Sequence, residues 1–430
     1  MKYSLVTFGC RVNQADSLRI EEDLRARGAV DAPPAEADVV VVNTCSVTAT
    51  ADQGARQTIR RIARENPAAR IVVTGCYATR QPEDVATLPG VVRIVPNPRK
   101  ERVLEAIASS FDLSTAERFG DGDGGCGAAI EPGVAGRTAF TLRVQTGCEE
   151  HCSYCIIPAT RGAARSVVIA DLLREVRRIA AAGFLEIALT GVHLGSYGRD
   201  LEPRVGLIDL LRALSELDEE LTFRISSLEP MDCTPEIVEL VAGSGGRFAP
   251  HFHLPLQHAS DPVLRRMRRP YSLDFYKRLT DALVERLPHV SIGTDLIAGF
   301  PGETDEEFEA NLSYLPSSPL SHVHVFPYSD RPGTAATAMA DKVPPPMIRG
   351  RAARLRQIGA ELSRRFRSAQ IGTIRPALTI DDGTIVVTDN YLKLRIPDGL
   401  LRNQRVRVLI HDEVTANLYP EARPTGRASC

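Results

Sequence analysis

Three cysteines stand at Cys148, Cys152 and Cys155 in the stretch CEEHCSYC. Thiolates this close together on one loop are metal ligands in waiting. A structural zinc closes its shell with four protein ligands, and no Cys or His follows just downstream to supply the fourth. His151 lies inside the loop, but a zinc site of three Cys and one His leaves the other cysteines unexplained. A cubane iron–sulfur cluster fits better: three thiolates hold three irons, and the fourth iron keeps an open position. Such a position separates a reactive metal site from a structural one. Three more cysteines are dispersed. Cys10, Cys45 and Cys76 follow the apolar runs YSLVTF, DVVVVN and RIVVTG. Ligand sites of open parallel sheets lie beyond the carboxyl ends of strands, so residues that each follow a different strand meet on one rim. Soft sulfur ligands on one rim select zinc, copper or iron–sulfur centres. A lone buried Cys is ordinary packing; three in equivalent positions favour a metal.

The elements that position these residues alternate. Strand-like runs cover YSLVTF, 38–43, 70–75 and 91–95, with helical patterns near 14–27, 51–65 and 82–87 and again from Arg99. Continuous Val/Ile runs separated by helices predict a parallel α/β sheet. Residues 112–136 are Gly-rich and read as a linker. From residue 139 the alternation resumes, with strands expected at 139–145, 184–190, 221–226, 251–255, 289–297 and 321–326. Six β/α units are too few for a full eight-unit barrel, so a partial, open (β/α)6 barrel is expected. An arginine-rich helix follows the prolines at 344–346. The last segment has short β-runs with Asp-Gly and Asp-Asn turns, the pattern of a small all-β barrel with a disordered tail. The fold class expected is therefore multidomain α/β: residues 1–111, linker 112–136, barrel 137–370 and β-barrel 371–430.

The chain has 430 residues, 43% hydrophobic and 25% charged, with a net charge of −2. That is an ordinary globular mix, and it excludes a uniformly basic nucleic-acid binder. Basic residues are local instead: Arg349, Arg351, Arg354, Arg356, Arg364, Arg365 and Arg367 on one helix, and Arg265, Arg266, Arg268 and Arg269 in LRRMRRPY. Such patches bind phosphate backbones even in a near-neutral chain; the plainer reading is a solvated face. No apolar run is long enough for a membrane helix, and the start lacks the apolar core of a signal peptide. The expectation is a cytoplasmic protein whose nine cysteines form no disulfide framework. Cys126, Cys233 and Cys430 receive no role.

Beyond these readings stands a resemblance. CEEHCSYC matches the CxxxCxxC signature of radical S-adenosylmethionine (SAM) enzymes, with Tyr154 at the usual aromatic place. FGCRVNQADS, VVNTCSVTATADQ and VVTGCYA resemble the three cysteine motifs of the methylthiotransferase N-terminal domain. GCEEHCSYCIIPATRG, RISSLEP, HFHLPLQHASDPVLRRMRRPY, DLIAGFPGET and VFPYSDRPGTAA resemble its radical domain. The resemblance spans nearly the whole chain. It implies that SAM chelates the open iron through its amino and carboxylate groups, and that reduction then cleaves the sulfonium to a 5′-deoxyadenosyl radical. It implies that Cys10, Cys45 and Cys76 hold a second 4Fe–4S cluster, which carries the sulfur to be inserted. It also implies that the C-terminal barrel is a TRAM domain, an RNA-binding module.

Within the family, GCRVNQ, LTGVHLGSYG and HVFPYSDRPGT are similar to the tRNA N6-threonylcarbamoyladenosine branch. The isopentenyl branch usually reads GCQMN and the ribosomal-protein branch GCPKN. LQHAS departs from the usual Gln-Ser-Gly, and Ala159 replaces a larger residue. The implied activity is methylthiolation of C2 of N6-threonylcarbamoyladenosine-37 of tRNA, with SAM as methyl donor and radical source. Alternatives are isopentenyladenosine-37, an aspartate of a ribosomal protein, or, in another class, a non-catalytic zinc and RNA-binding protein. The implied partners are tRNA and an electron donor such as flavodoxin or ferredoxin; the sulfur donor is unassigned, and the chain is expected to be a monomer without membrane contact.

Other residues carry two readings each. Tyr154 is a candidate to stack on the adenine of SAM, or simply packs its loop. Gly191, in LTGVHLG, lets backbone approach the methionine moiety, or serves a β/α turn. Glu229 is a candidate partner for the ammonium or ribose of SAM, or a surface acid. Arg161 and Arg165 are placed to pair with carboxylate or phosphate. Gly299 and Gly302 are candidates for the adenosine pocket, and Thr304 with Glu307 reads as a capping box. For His251, His253 and His258 packing is the favoured reading over metal.

Overall fold

The computed structural model describes residues 1–108, 131–132, 138–397 and 399–419. The expected linker at 112–136, apart from Glu131 and Pro132, lies outside the described residues, as do Cys126, Cys430 and the end of the tail.

The first body is a parallel sheet of β1 (Lys2–Thr7), β2 (Val30–Asp31), β3 (Val39–Thr44), β4 (Arg70–Gly75) and β5 (Val91–Pro96). Its spatial order is β2-β1-β3-β4-β5. Successive side chains on a strand face opposite ways, and β3 uses both faces. Val40 and Val42 join Ala55, Ile59 and Ile62 of the helix Ala49–Glu65, while Val39 and Val41 join Ile20 and Leu24 of the helix Arg11–Ala26. A strand covered on both sides must be apolar throughout, which is why VVVV stands there. Each fully buried Val or Ile contributes about 1.5–3 kcal/mol.

The second body has strands β6 (Phe140–Arg143), β7 (Gln145–Thr146), β8 (Arg165–Ser166), β9 (Glu186–Thr190), β10 (Thr222–Ile225), β11 (His251–His253), β12 (Ser291–Ala298) and β13 (His322–Pro327). Parallel runs β6-β9-β10 and β11-β12-β13 are joined by single bridges at Ser227–His253 and Phe223–Phe248. Six parallel strands thus form an open arc, as the sequence predicts; the β7–β8 pair is a small antiparallel addition beside it.

The third body is an antiparallel sheet, β14 (Ile374–Ile380), β15 (Ile385–Thr388), β16 (Lys393–Arg395), β17 (Arg405–Ile410) and β18 (Ala416–Leu418), in the order β16-β15-β14-β17-β18. The Arg395 N–H donates to the Val414 carbonyl at 2.8 Å, which curls the sheet toward closure. The helix Pro345–Gln370 bridges the second and third bodies. Ala352, Leu355, Ile358 and Leu362 bury into the core of the second body. Its arginines divide. Arg351 is buried against Glu303 and Asp305. Arg365 donates to the Pro316 and Ser318 carbonyls, and Arg367 to that of Glu413. Arg349, Arg354, Arg356 and Arg364 are exposed with no carboxylate partner among the described residues. Three of the helix's seven arginines are therefore taken up by neighbouring elements, and four face solvent.

Candidate active site

The loop of Cys148, Cys152 and Cys155 begins at the end of β7. Gly147 has φ +77, and a Cβ there would lie 1.9 Å from the Ala163 carbonyl oxygen, so only glycine allows the crossing. The Cys148 N–H donates to the Gly162 carbonyl at 3.0 Å and that of Cys155 to Cys152 at 3.1 Å. Ser153 straps the loop to the 266–267 segment through its N–H to the Met267 carbonyl (3.1 Å) and its hydroxyl to that of Arg266 (2.8 Å). Gln145, buried, ties two loops together. Its amide donates to the Gly147 carbonyl (2.8 Å), and its oxygen accepts from the N–H groups of Val192 and His193 (2.9 and 3.0 Å).

Cations surround the sulfurs. Arg269 donates to Cys152 Sγ at 3.3 Å and pairs with Glu229. His193 sits beside Cys148; burial pulls its pKa down, yet the Asp232 carboxylate 2.8 Å away and Cys148 together raise it to about 9. Glu229 thus faces Arg269 rather than open space. Tyr154 packs against Val263, Met267, Ile297 and Phe300.

Cys10, Cys45 and Cys76 converge on the rim of the first body. Gly9 (φ +90) passes so close that a Cβ would lie 2.5 Å from Cys45 Sγ. Charges on Cys10 and Cys76 both act on the Cys45 thiol. Asn97 donates to Cys76 Sγ (3.4 Å) and to the Thr160 carbonyl (2.9 Å), which links this rim to the helix Ile157–Arg161 after the other cysteine loop. Arg161 extends the link, donating to Thr146 Oγ1 (3.1 Å), to Asn13 and to Asp16 (3.3 Å).

Asp16 is the hub of that interface. It is buried and meets Lys100 at 2.8 Å, Arg143 and Arg161. Burial raises its pKa, but the three cations outweigh it and hold the carboxyl at about 2. Its stabilising effect is therefore full above the unfolded carboxyl range near pH 4 and is lost as pH falls through about 2. Replacing Asp16 with Asn strands three cations, so chemical denaturation at neutral pH should show a loss of about 3–5 kcal/mol. The difference between parent and variant should shrink in acid.

A cavity of about 890 Å³ opens between the three bodies. Cys10, Arg11 and Cys45 line it from the first, Gly191, Ser226, His253 and Asp295 from the second, and Tyr391 from the third. A Cβ on Gly191 would lie 2.8 Å from Leu194 and 3.0 Å from Gln145. Inside, Asp295 accepts from His253 at 3.0 Å and faces His324 at 3.4 Å. His251 stacks on Tyr391 with centroids 4.4 Å apart, while His258 is enclosed beside Asn311 and Ser260. Packing therefore describes His258, whereas His251 and His253 line the cavity. Gly299 does not line it: with φ +77, its absent Cβ makes room for Ile348 at 2.4 Å, and Glu303 accepts from the Phe300 N–H at 3.0 Å. Gly302 is likewise elsewhere, its N–H bonded to the Asp341 carbonyl. Arg165 is exposed in a separate cleft with Arg19, Glu101 and Arg143. Thr304 and Glu307 form the expected capping box.

Residues 2–96 match an uncharacterized protein family, UPF0004, and residues 142–315 match the radical SAM superfamily. The threonylcarbamoyladenosine tRNA methylthiotransferase MtaB of Bacillus subtilis is 34% identical over 90% of this chain and 88% of its own. The chain belongs to the radical SAM methylthiotransferases. This methylthiotransferase is also 32% identical to the tRNA-2-methylthio-N(6)-dimethylallyladenosine synthase of Acidothermus cellulolyticus, over 98% and 86% of the two chains. The radical S-adenosylmethionine methyltransferase TsrM of Kitasatospora setae, solved with cobalamin and a [4Fe-4S] cluster, shares its fold: TM-score 0.55, 18% identity, 78% and 77% coverage.

The enzyme uses SAM and two 4Fe–4S clusters, and its two cysteine triads suit that load. Six thiols lie in two groups of three, none in a disulfide. Desolvation pushes Cys45 up to about 11 and Cys155 up to about 12, so iron must displace protons to make these thiols ligands. Arg161 beside Cys76 and Arg269 beside Cys152 supply positive charge where a thiolate centre needs it.

Proposed function

We propose that this methylthiotransferase adds a methylthio group to C2 of N6-threonylcarbamoyladenosine-37 of tRNA. Cys148, Cys152 and Cys155 hold the SAM-binding cluster, and Cys10, Cys45 and Cys76 hold the auxiliary one. The observation that carries this reading is the shared cavity: Cys10 and Cys45 face the barrel strands across it. A nucleoside lodged there touches the auxiliary rim on one side and the radical barrel on the other. When bound, the clusters supply an electron to split SAM and a sulfur to transfer. The chain's own residues do the rest. Gln145 holds the 147 and 191–193 turns in register; Arg269 and Glu229 fix the charge beside Cys152. Gly191 gives the SAM methionine backbone room, and Tyr154 braces the loop. Single-stranded loops present the splayed bases that such pockets take.

A cavity arginine with no carboxylate partner among the described residues, Arg11, suits an acidic N6 substituent better than an apolar isopentenyl group. Mass spectrometry of tRNA nucleosides from cells lacking and regaining this protein tests the reading. The expected result is 2-methylthio-N6-threonylcarbamoyladenosine that disappears and returns with the gene. Return of the isopentenyl product instead would refute the substrate named here.

A further inference from the structure

We infer that Arg11 is the carboxylate-binding residue of the substrate pocket, an assignment that rests on the substrate reading proposed above. Arg11 follows Cys10 directly and lines the same cavity. Its guanidinium donates to the Tyr391 hydroxyl at 3.0 Å and to Ser226 Oγ at 3.3 Å. Both partners are neutral, and no carboxylate pairs with Arg11 among the described residues. The other arginine of the cavity, Arg367, is committed to the Glu413 carbonyl at 2.8 Å. The cavity's acid, Asp295, is taken by His253 and His324. Arg11 is thus a half-buried cation with donors to spare beside the proposed sulfur-carrying centre, and a planar fork of this kind prefers a carboxylate or phosphate.

The substrate offers a carboxylate in the right place. In an N6-threonylcarbamoyl adenosine the ureido N–H can close a six-membered hydrogen-bonded ring onto N1. That conformation turns the threonine, with its carboxylate, toward the N1–C2 edge of the base. C2 must approach the centre held by Cys10, so the carboxylate comes to the neighbouring residue. Tyr391, whose hydroxyl already holds Arg11, and Ser226 fix the guanidinium's direction before substrate arrives. An isopentenyl substituent has nothing to offer this cation and would leave it desolvated.

A phosphate of the RNA backbone offers similar chemistry, and the test separates the two. Anaerobically reconstituted full-length enzyme is given three anticodon stem-loop RNAs, carrying N6-threonylcarbamoyladenosine, its threonine methyl ester or isopentenyladenosine, and kcat/KM for methylthiolation is read by mass spectrometry. The parent should prefer the acid over the ester by roughly tenfold to a hundredfold, the range of a hydrogen bond to a charged group. Arg11→Gln should lose that factor on the acid and not on the ester, through KM, and Arg11→Lys should keep part of it. A parent that treats acid and ester alike overturns the inference without any variant. An equal fall on acid and ester in Arg11→Gln overturns it in favour of phosphate. A parent active on the isopentenyl RNA and inert on both others overturns the substrate reading and the subsite together.

Discussion

Protein in which Cys148, Cys152 and Cys155 are all replaced by Ala is expected to hold about four irons after anaerobic reconstitution, where the parent holds about eight, and to cleave no SAM. The three side chains lie on one short loop; among the described residues the one cysteine outside the two triads, Cys233, is buried and its thiol is pushed up to about 12. The loop's frame does not depend on iron. Gly147 crosses Ala163 by backbone shape, and Ser153 ties to Met267 and Arg266 by its own hydrogen bonds. The second rim belongs to a separate sheet with its own core, so its four irons stay. Iron counting with SAM cleavage assays checks both halves. Retention of all the iron would refute the ligand assignment.

Parts of this site were legible in the sequence because the signal was local. VVVVN and RIVVTG are runs that only a doubly covered strand tolerates, so the strand ends, and the cysteines after them, fell on one rim. The three-cysteine loop was legible because its cysteines lie within eight residues. What was not legible depends on residues far apart in sequence. Arg269 meets Cys152, and Tyr391 meets His251 and Arg11, only after three bodies dock. His253, Asp295 and His324 meet because β11, β12 and β13 are adjacent with a fixed register, and spacing along one strand does not report its neighbour. Gly299 shows a related limit: a glycine after a strand signals close approach, but the sequence does not say that Ile348 is what approaches. The arginine-rich helix shows the same limit. Charge density predicted a face, while the carbonyls and acids that take up Arg351, Arg365 and Arg367 come from other elements.

The complementary triple variant should behave oppositely. With Cys10, Cys45 and Cys76 replaced by Ala, about four irons should again remain, yet reductive cleavage of SAM should continue at close to the parent rate while methylthiolation vanishes. On the proposed reading cleavage rests on the 148–155 loop with Gln145 and Arg269, whose hydrogen bonds do not involve these cysteines. Asn97 and Arg161 reach from one cysteine site toward the other and set how clean the separation is. Asn97 spans Cys76 Sγ and the Thr160 carbonyl, and Arg161 spans Thr146 and Asp16. Asn97 keeps its bond to Thr160 when the sulfur goes, and Arg161 keeps Asp16, so the interface survives. Methylthiolation has no such reserve if, as proposed, the sulfur to be transferred is carried at the Cys10–Cys45–Cys76 rim, whose Cys10 and Cys45 line the cavity. Counting 5′-deoxyadenosine and methylthiolated nucleoside in the same reaction gives both rates at once. A triple variant that still forms methylthiolated product at the parent rate would mean that the sulfur comes from elsewhere, and the rim would lose its role.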